Sequence, residues 1–64
     1  MHRYHLYMFD RTGRKVEEER AFQATDDRTA AELAEGWRTR RKAELWRSGK
    51  QVETWVAGSG RRIR

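Results

Sequence analysis

Two histidines, a run of three glutamates and a concentration of arginine are the residues in this sequence with chemical reach. His2 and His5 stand three apart. On a helix that spacing would put both imidazoles on one face, as a chelating pair requires, whereas on a strand it sends them to opposite faces. The surrounding RYHLYMF is dense in aromatic and large apolar residues and predicts a strand, so no metal site is expected, and a chain without cysteine has no thiolate to complete one. Glu17, Glu18 and Glu19 are consecutive carboxylates. Carboxylates do acid–base work when one cleft holds a pair and pushes their pKa values apart; alternating along a polar strand, these are expected to be solvated. Asp10 is assigned to a turn. Ser48 and Ser59 lie beside glycines, and nothing pairs them, or Thr12, Thr25, Thr29 and Thr39, with a histidine base. The expectation is no catalytic residue, no cofactor and no small-molecule substrate.

The basic residues remain. The net charge of +5 is unevenly spread: residues 1–35 carry −2, residues 36–50 carry +5 and residues 51–64 carry +2. Arg38, Arg40, Arg41, Lys42, Arg47 and Lys50, with Arg61 and Arg62 in the tail, are candidate contacts to an anion or to nucleic-acid phosphates, with Trp46 or Trp55 able to stack on bases. The competing explanation is local, since basic side chains also favour the C-terminal half of a helix by complementing its dipole. Arg41 falls where a core residue should, and is expected to lay its methylenes over the sheet and reach Glu44 or Glu53.

These side chains must be positioned by few elements. Sixty-four residues allow one domain, residues 1–64. Seven of the 23 apolar residues are alanine, which leaves a thin core with no disulfide to reinforce it. Along Arg3 to Phe9, alternation puts Tyr4, Leu6 and Met8 on a core face and His5, Tyr7 and Phe9 on the other. Asp10-Arg11-Thr12-Gly13 predicts a tight hairpin turn, followed by a polar, bulged edge strand in which Val16 and Phe22 face inward. Thr25, Asp26 and Asp27 can cap a helix. Ala30, Leu33, Ala34 and Trp37 recur at helical spacing, no proline interrupts the run, and the helix is drawn over residues 27–46 with Ser48-Gly49 as its stop. Gln51 to Ala57 predicts a third strand, and residues 61–64 a short fourth strand or a frayed tail. The fold expected is α+β, β-β-α-β(β), an antiparallel sheet of order 2-1-3 or 2-1-3-4 with one long helix across it.

The opening Arg3-Tyr4, the alternating strand ending at Asp10, Gly13, the acidic Glu17-Glu18-Glu19 and the alanine-rich helix after Asp26-Asp27 resemble a group of short bacterial proteins classed as a domain of unknown function. Its members begin Arg-Tyr-Phe, carry Asp-Glu-Glu-Gly in the second strand and end in a strand–turn–strand. Arg20 stands where that family has glycine, and the final strand here is short and basic. The resemblance implies the same fold and no assigned activity.

The functional expectation is a non-enzymatic interaction module that pairs with a second copy or docks an acidic protein, with Tyr7, Phe9, Trp46 and Trp55 as interface aromatics. The alternative is weak, sequence-independent nucleic-acid binding through the basic helix end and tail. No apolar run reaches the length of a membrane span or a signal peptide, so the expected location is cytoplasmic.

Overall fold

The computed structural model describes residues 1–58. Strand β1 (His2–Phe9) pairs antiparallel with β2 (Val16–Ala24); helix α1 (Asp27–Trp37) follows, then β3 (Ala43–Arg47) and β4 (Lys50–Trp55). The four strands form one antiparallel sheet in the order β2-β1-β3-β4. The α+β class, the β-β-α-β-β order and the strand order 2-1-3-4 are those expected from the sequence. The element boundaries after Trp37 are not: the stretch expected as the third strand, Gln51 to Ala57, is instead the edge strand β4, and the proposed strand over residues 61–64 lies outside the described residues.

Alternation in β1 decides where the core lies. Tyr4, Leu6 and Met8 are buried beneath the helix with Ala43 and Leu45 of β3, Trp55 of β4 and Ala24 of β2. The register places Leu6 opposite Leu45 and Met8 opposite Ala43, so large and small apolar side chains meet across the two central strands. Asp10 binds the turn after β1: its carbonyl accepts from Gly13 N–H at 2.9 Å, and its carboxylate accepts from the Thr12 hydroxyl at 2.7 Å. Gly13 supplies a φ of 72°, which that turn requires. The register shifts between Met8 and Phe9, because Met8 pairs with Glu18 but Phe9 with Val16. This bulge turns Val16 out to half exposure instead of inward, while Phe22 keeps its packing against the core.

Helix α1 starts as the sequence implied. Asp26 is the N-cap and accepts the Thr29 amide at 2.8 Å, and Asp27 accepts the Tyr4 hydroxyl at 2.6 Å, tying the first turn to β1. Its buried stripe is Ala30, Ala31 and Ala34, continuing to Arg38. The helix is therefore rotated relative to the stripe the spacing suggested, leaving Leu33 40% exposed and Trp37 half-buried against Phe22 at 4.8 Å between ring centroids. Alanines let the helix approach a sheet face already filled by Tyr4 and Trp55, where a leucine ridge would collide.

The long helix over residues 27–46 is corrected by the structure: α1 ends at Trp37, with Arg38 as its C-cap. Thr39 and Arg40 then adopt left-handed φ values of 49° and 63°, and residues 43–47 become the strand beside β1. Pairing explains the change. As a strand, Ala43 and Leu45 enter the core and the backbone groups of β1 gain a second ladder; as a helix, the same stretch would have offered the core Arg41 and Glu44 beside Leu45. Ser48-Gly49 is not a helix stop but a two-residue hairpin loop with φ values of 52° and 76°, joining the cross-strand partners Arg47 and Lys50.

Candidate functional site

With the helix on one side, the opposite face of the sheet is left uncovered by any other described element. Its central strands present His5, Tyr7 and Phe9 from β1 and Trp46 from β3, all half-buried. His5 and Trp46 are cross-strand partners, and the His5 and Tyr7 rings lie 6.4 Å apart at 17°. Carboxylates border these rings. Tyr7 is paired with Glu19 on one side and Glu44 on the other. Glu19 reaches His5 Nδ1 at 3.1 Å, and Glu44 accepts the Trp46 indole N–H at 3.1 Å. Arg3 stands at the other end of the same face, opposite Gln23 and without an ion pair among the described residues. Along β1 the face thus runs from a cation at Arg3, through the aromatic middle, to the carboxylates flanking Tyr7.

The structure confirms that His2 and His5 diverge. His2 sits edge-on to Tyr4 on the helix side at 6.4 Å, while His5 is on the uncovered face. Among the described residues, no three histidine, cysteine, aspartate or glutamate side chains are placed to hold a metal ion.

Of the eight cations expected to act together, the six among the described residues are dispersed. Arg38 is 1% exposed: its Nη1 donates to the carbonyls of Arg41 at 2.6 Å and Val56 at 3.3 Å, and its guanidinium lies 5.6 Å from the Trp55 ring. Burial lowers its pKa from the ordinary arginine value, outweighing the opposing influence of Glu35. It is removed from the surface contacts. Arg41 does not reach Glu44 or Glu53; it clamps Glu17 at 2.6 Å and Glu18 at 3.2 Å across the first hairpin. Lys42 lies over the Phe9 ring at 4.7 Å and donates to the Gly13 carbonyl at 3.1 Å, while Arg40 donates to the Gly58 carbonyl. Arg47 meets Asp27 at 3.6 Å, and Lys50 is exposed. Arg61 and Arg62 lie outside the described residues.

Of the four aromatics expected at an interface, Tyr7, Phe9 and Trp46 line the uncovered face. Trp55 does not: it is 1% exposed, the largest side chain of the core. The reason is register, since Trp55 pairs with Ala43, whose small side chain leaves the volume an indole needs beneath the helix. His5, Glu19 and Glu44 belong to the face but were missed in the sequence. Reading Ala43-Glu44-Leu45-Trp46 as alternating would have put Glu44 beside Trp46 and found one of them.

Two shallow clefts open at the ends of the sheet. One, of about 440 Å³, includes Phe9, Asp10, Arg11, Glu17, Arg41 and Lys42, so its cations face carboxylates. The other, of about 450 Å³, lies between the start of β1 and the β3–β4 turn. Both are open notches at the sheet ends with no enclosing walls.

The class this architecture defines is an open-faced α+β sandwich, one sheet with one helix. Comparison with family models, curated proteins and solved structures finds no match to the chain. Among the described residues, no helix is long and apolar enough to cross a membrane.

Proposed function

We propose that this protein is a non-enzymatic interaction module that pairs with a second copy of itself through the uncovered sheet face. The observation that carries the reading is the arrangement on that face: half-buried aromatics in the middle, Arg3 at one end, and Glu19 and Glu44 at the other. A two-fold interface must be complementary to itself. A two-fold axis running across the strands at the level of His5 lays position 3 of one copy over position 7 of the other. Arg3 then meets the carboxylates flanking Tyr7, twice by symmetry, and the rings of His5, Tyr7 and Trp46 fill the centre. An axis along the strands would instead stack like charges.

The size of the face sets the strength. Eight residues at about 3.4 Å and four strands about 4.8 Å apart give a surface of roughly 500 Å². That lies below the roughly 800 Å² per partner of a standard stable interface, so the pairing is weak and concentration-dependent. An acidic protein partner has less to hold: Arg41 is clamped by Glu17 and Glu18, and Arg38 is buried. The same arrangement disfavours nucleic acid at the segment following Trp37.

Sedimentation velocity across micromolar to millimolar concentrations tests the reading. The expected result is a reversible monomer–dimer equilibrium weakened by Arg3→Glu or Glu19→Arg alone and restored in the double reversal, because the cross-copy pair is re-formed with its signs exchanged. A clean monomer at millimolar concentration would overturn it.

A further inference from the structure

We propose that the cleft between the start of β1 and the β3–β4 turn is a phosphate-binding site. It is lined by Met1, His2, Arg3, Arg47, Ser48 and Lys50, and no carboxylate is among these residues. The 440 Å³ cleft at the other end of the sheet differs in this respect, because Asp10 and Glu17 line it together with its cations. Arg3, Arg47 and Lys50 therefore give the cleft at the β3–β4 end a positive lining.

The hairpin builds the site. Ser48 and Gly49 take up the left-handed conformations of a two-residue loop, which forces Arg47 and Lys50 to be direct cross-strand partners. Like charges directly opposite each other on a sheet destabilise it. Here Asp27, on the first turn of α1, meets Arg47 at 3.6 Å, and its carboxylate is also engaged by the Tyr4 hydroxyl at 2.6 Å. Among the described residues, neither Lys50 nor Arg3 has an ion-pair partner. A doubly charged phosphoryl oxygen cluster between Arg47 and Lys50 relieves the repulsion that the turn imposes, with Arg3 and the Ser48 hydroxyl at its edge. The guanidinium of Arg47 is suited to phosphate by its planar fork of donors, and Asp27 orients it. Because the cleft is open, it admits a phosphate carried on a larger molecule, and Trp46, one residue before Arg47, offers a half-buried ring on the adjoining face.

The probes are inorganic pyrophosphate and a short single-stranded oligothymidylate, each titrated into the full chain while backbone amide shifts are followed by NMR. The expected result is a shift of Ser48, Gly49 and Lys50, with affinity falling as salt rises. Lys50→Gln is expected to weaken binding about tenfold, the loss of one charge-assisted contact, whereas Arg40→Gln is expected to leave it unchanged. Lys50 is exposed and without a side-chain partner among the described residues, so its replacement leaves the fold intact, which circular dichroism verifies. Pyrophosphate binding as tight as the oligonucleotide identifies free phosphate compounds as the source; an oligonucleotide more than tenfold tighter identifies nucleic acid. Hairpin amides that do not respond to either probe, or affinity unchanged in Lys50→Gln, would overturn the site. Neither outcome bears on dimerisation, which does not use Lys50.

Discussion

Arg38 closes the helix, supports the bend into β3 and lies against the largest core side chain, so replacing it tests the packing argument at its most exacting point. Its backbone N–H completes the helix by donating to Ala34, while its guanidinium satisfies the carbonyls of Arg41 and Val56 and lies 5.6 Å from the Trp55 ring. Arg38→Ala removes three contributions. Two carbonyls lose their donor, at about 1 kcal/mol each once partial rehydration is allowed. The cation–π contact is worth about 0.5–1 kcal/mol, and the vacated volume beside Trp55 adds on the order of 1 kcal/mol or more. The loss is about 3–4 kcal/mol. A chain of 64 residues has a total of roughly 3–10 kcal/mol to lose. Arg38→Met separates stem from head: it keeps most of the volume but no donor. Relief of the buried charge's desolvation partly offsets the missing hydrogen bonds, so the expected loss is about 1–2 kcal/mol. Urea unfolding followed by tryptophan fluorescence reads both, with each 1 kcal/mol lowering Tm by about 4–8 °C in a parallel thermal melt. If Arg38→Ala unfolds within about 0.5 kcal/mol of the parent, Arg38 is not a strut and its burial has no energetic consequence.

Backbone conformation yields a second prediction. A Cβ built on Gly36 meets nothing within 4 Å, so Gly36→Ala is expected to stabilise by about 0.5–1 kcal/mol, whereas Gly49→Ala, in equally open space but at φ 76°, is expected to cost about 1 kcal/mol; calorimetric melts of the pair check the opposite signs. A third prediction concerns pH. Hydrogen bonds from the Thr29 amide to Asp26, and chiefly from the Thr12 hydroxyl to Asp10, hold both carboxyls below their ordinary pKa of 3.8. Their stabilisation is full above that value and is lost as pH falls through the lowered folded pKa, so Asp26→Asn should flatten the acid limb of the stability curve. Burial, then the bond to Asp27, raises the Tyr4 hydroxyl above 10.0, so its contribution is full below pH 10 and lost as pH rises through the folded value. Tyr4→Phe should remove that part of the alkaline limb at a cost of about 1 kcal/mol at neutral pH, read by denaturant midpoints from acid to alkaline buffers.

Local chemistry is sufficient to specify the first half of this protein. Strict alternation in Tyr4, Leu6 and Met8, the Asp10–Gly13 turn and the Asp26 cap each depend on neighbours within a few residues, and the structure has them where the residues imply. The stretch after Trp37 is different. Arg38 to Arg47 contains no proline or glycine, and its residues form helices readily. Only the vacancy beside β1, an edge that must be paired with a core that must be closed, turns it into a strand through the left-handed Thr39 and Arg40. That single decision buried Arg38 and Trp55, sent Arg41 to Glu17 and Glu18, and assembled Tyr7, Glu44 and Trp46 on one face. None of those pairings is encoded within a turn or two of chain. Composition determined that the molecule would be basic and thinly cored, while the sheet register determined which charges are spent inside it and which are left for a partner.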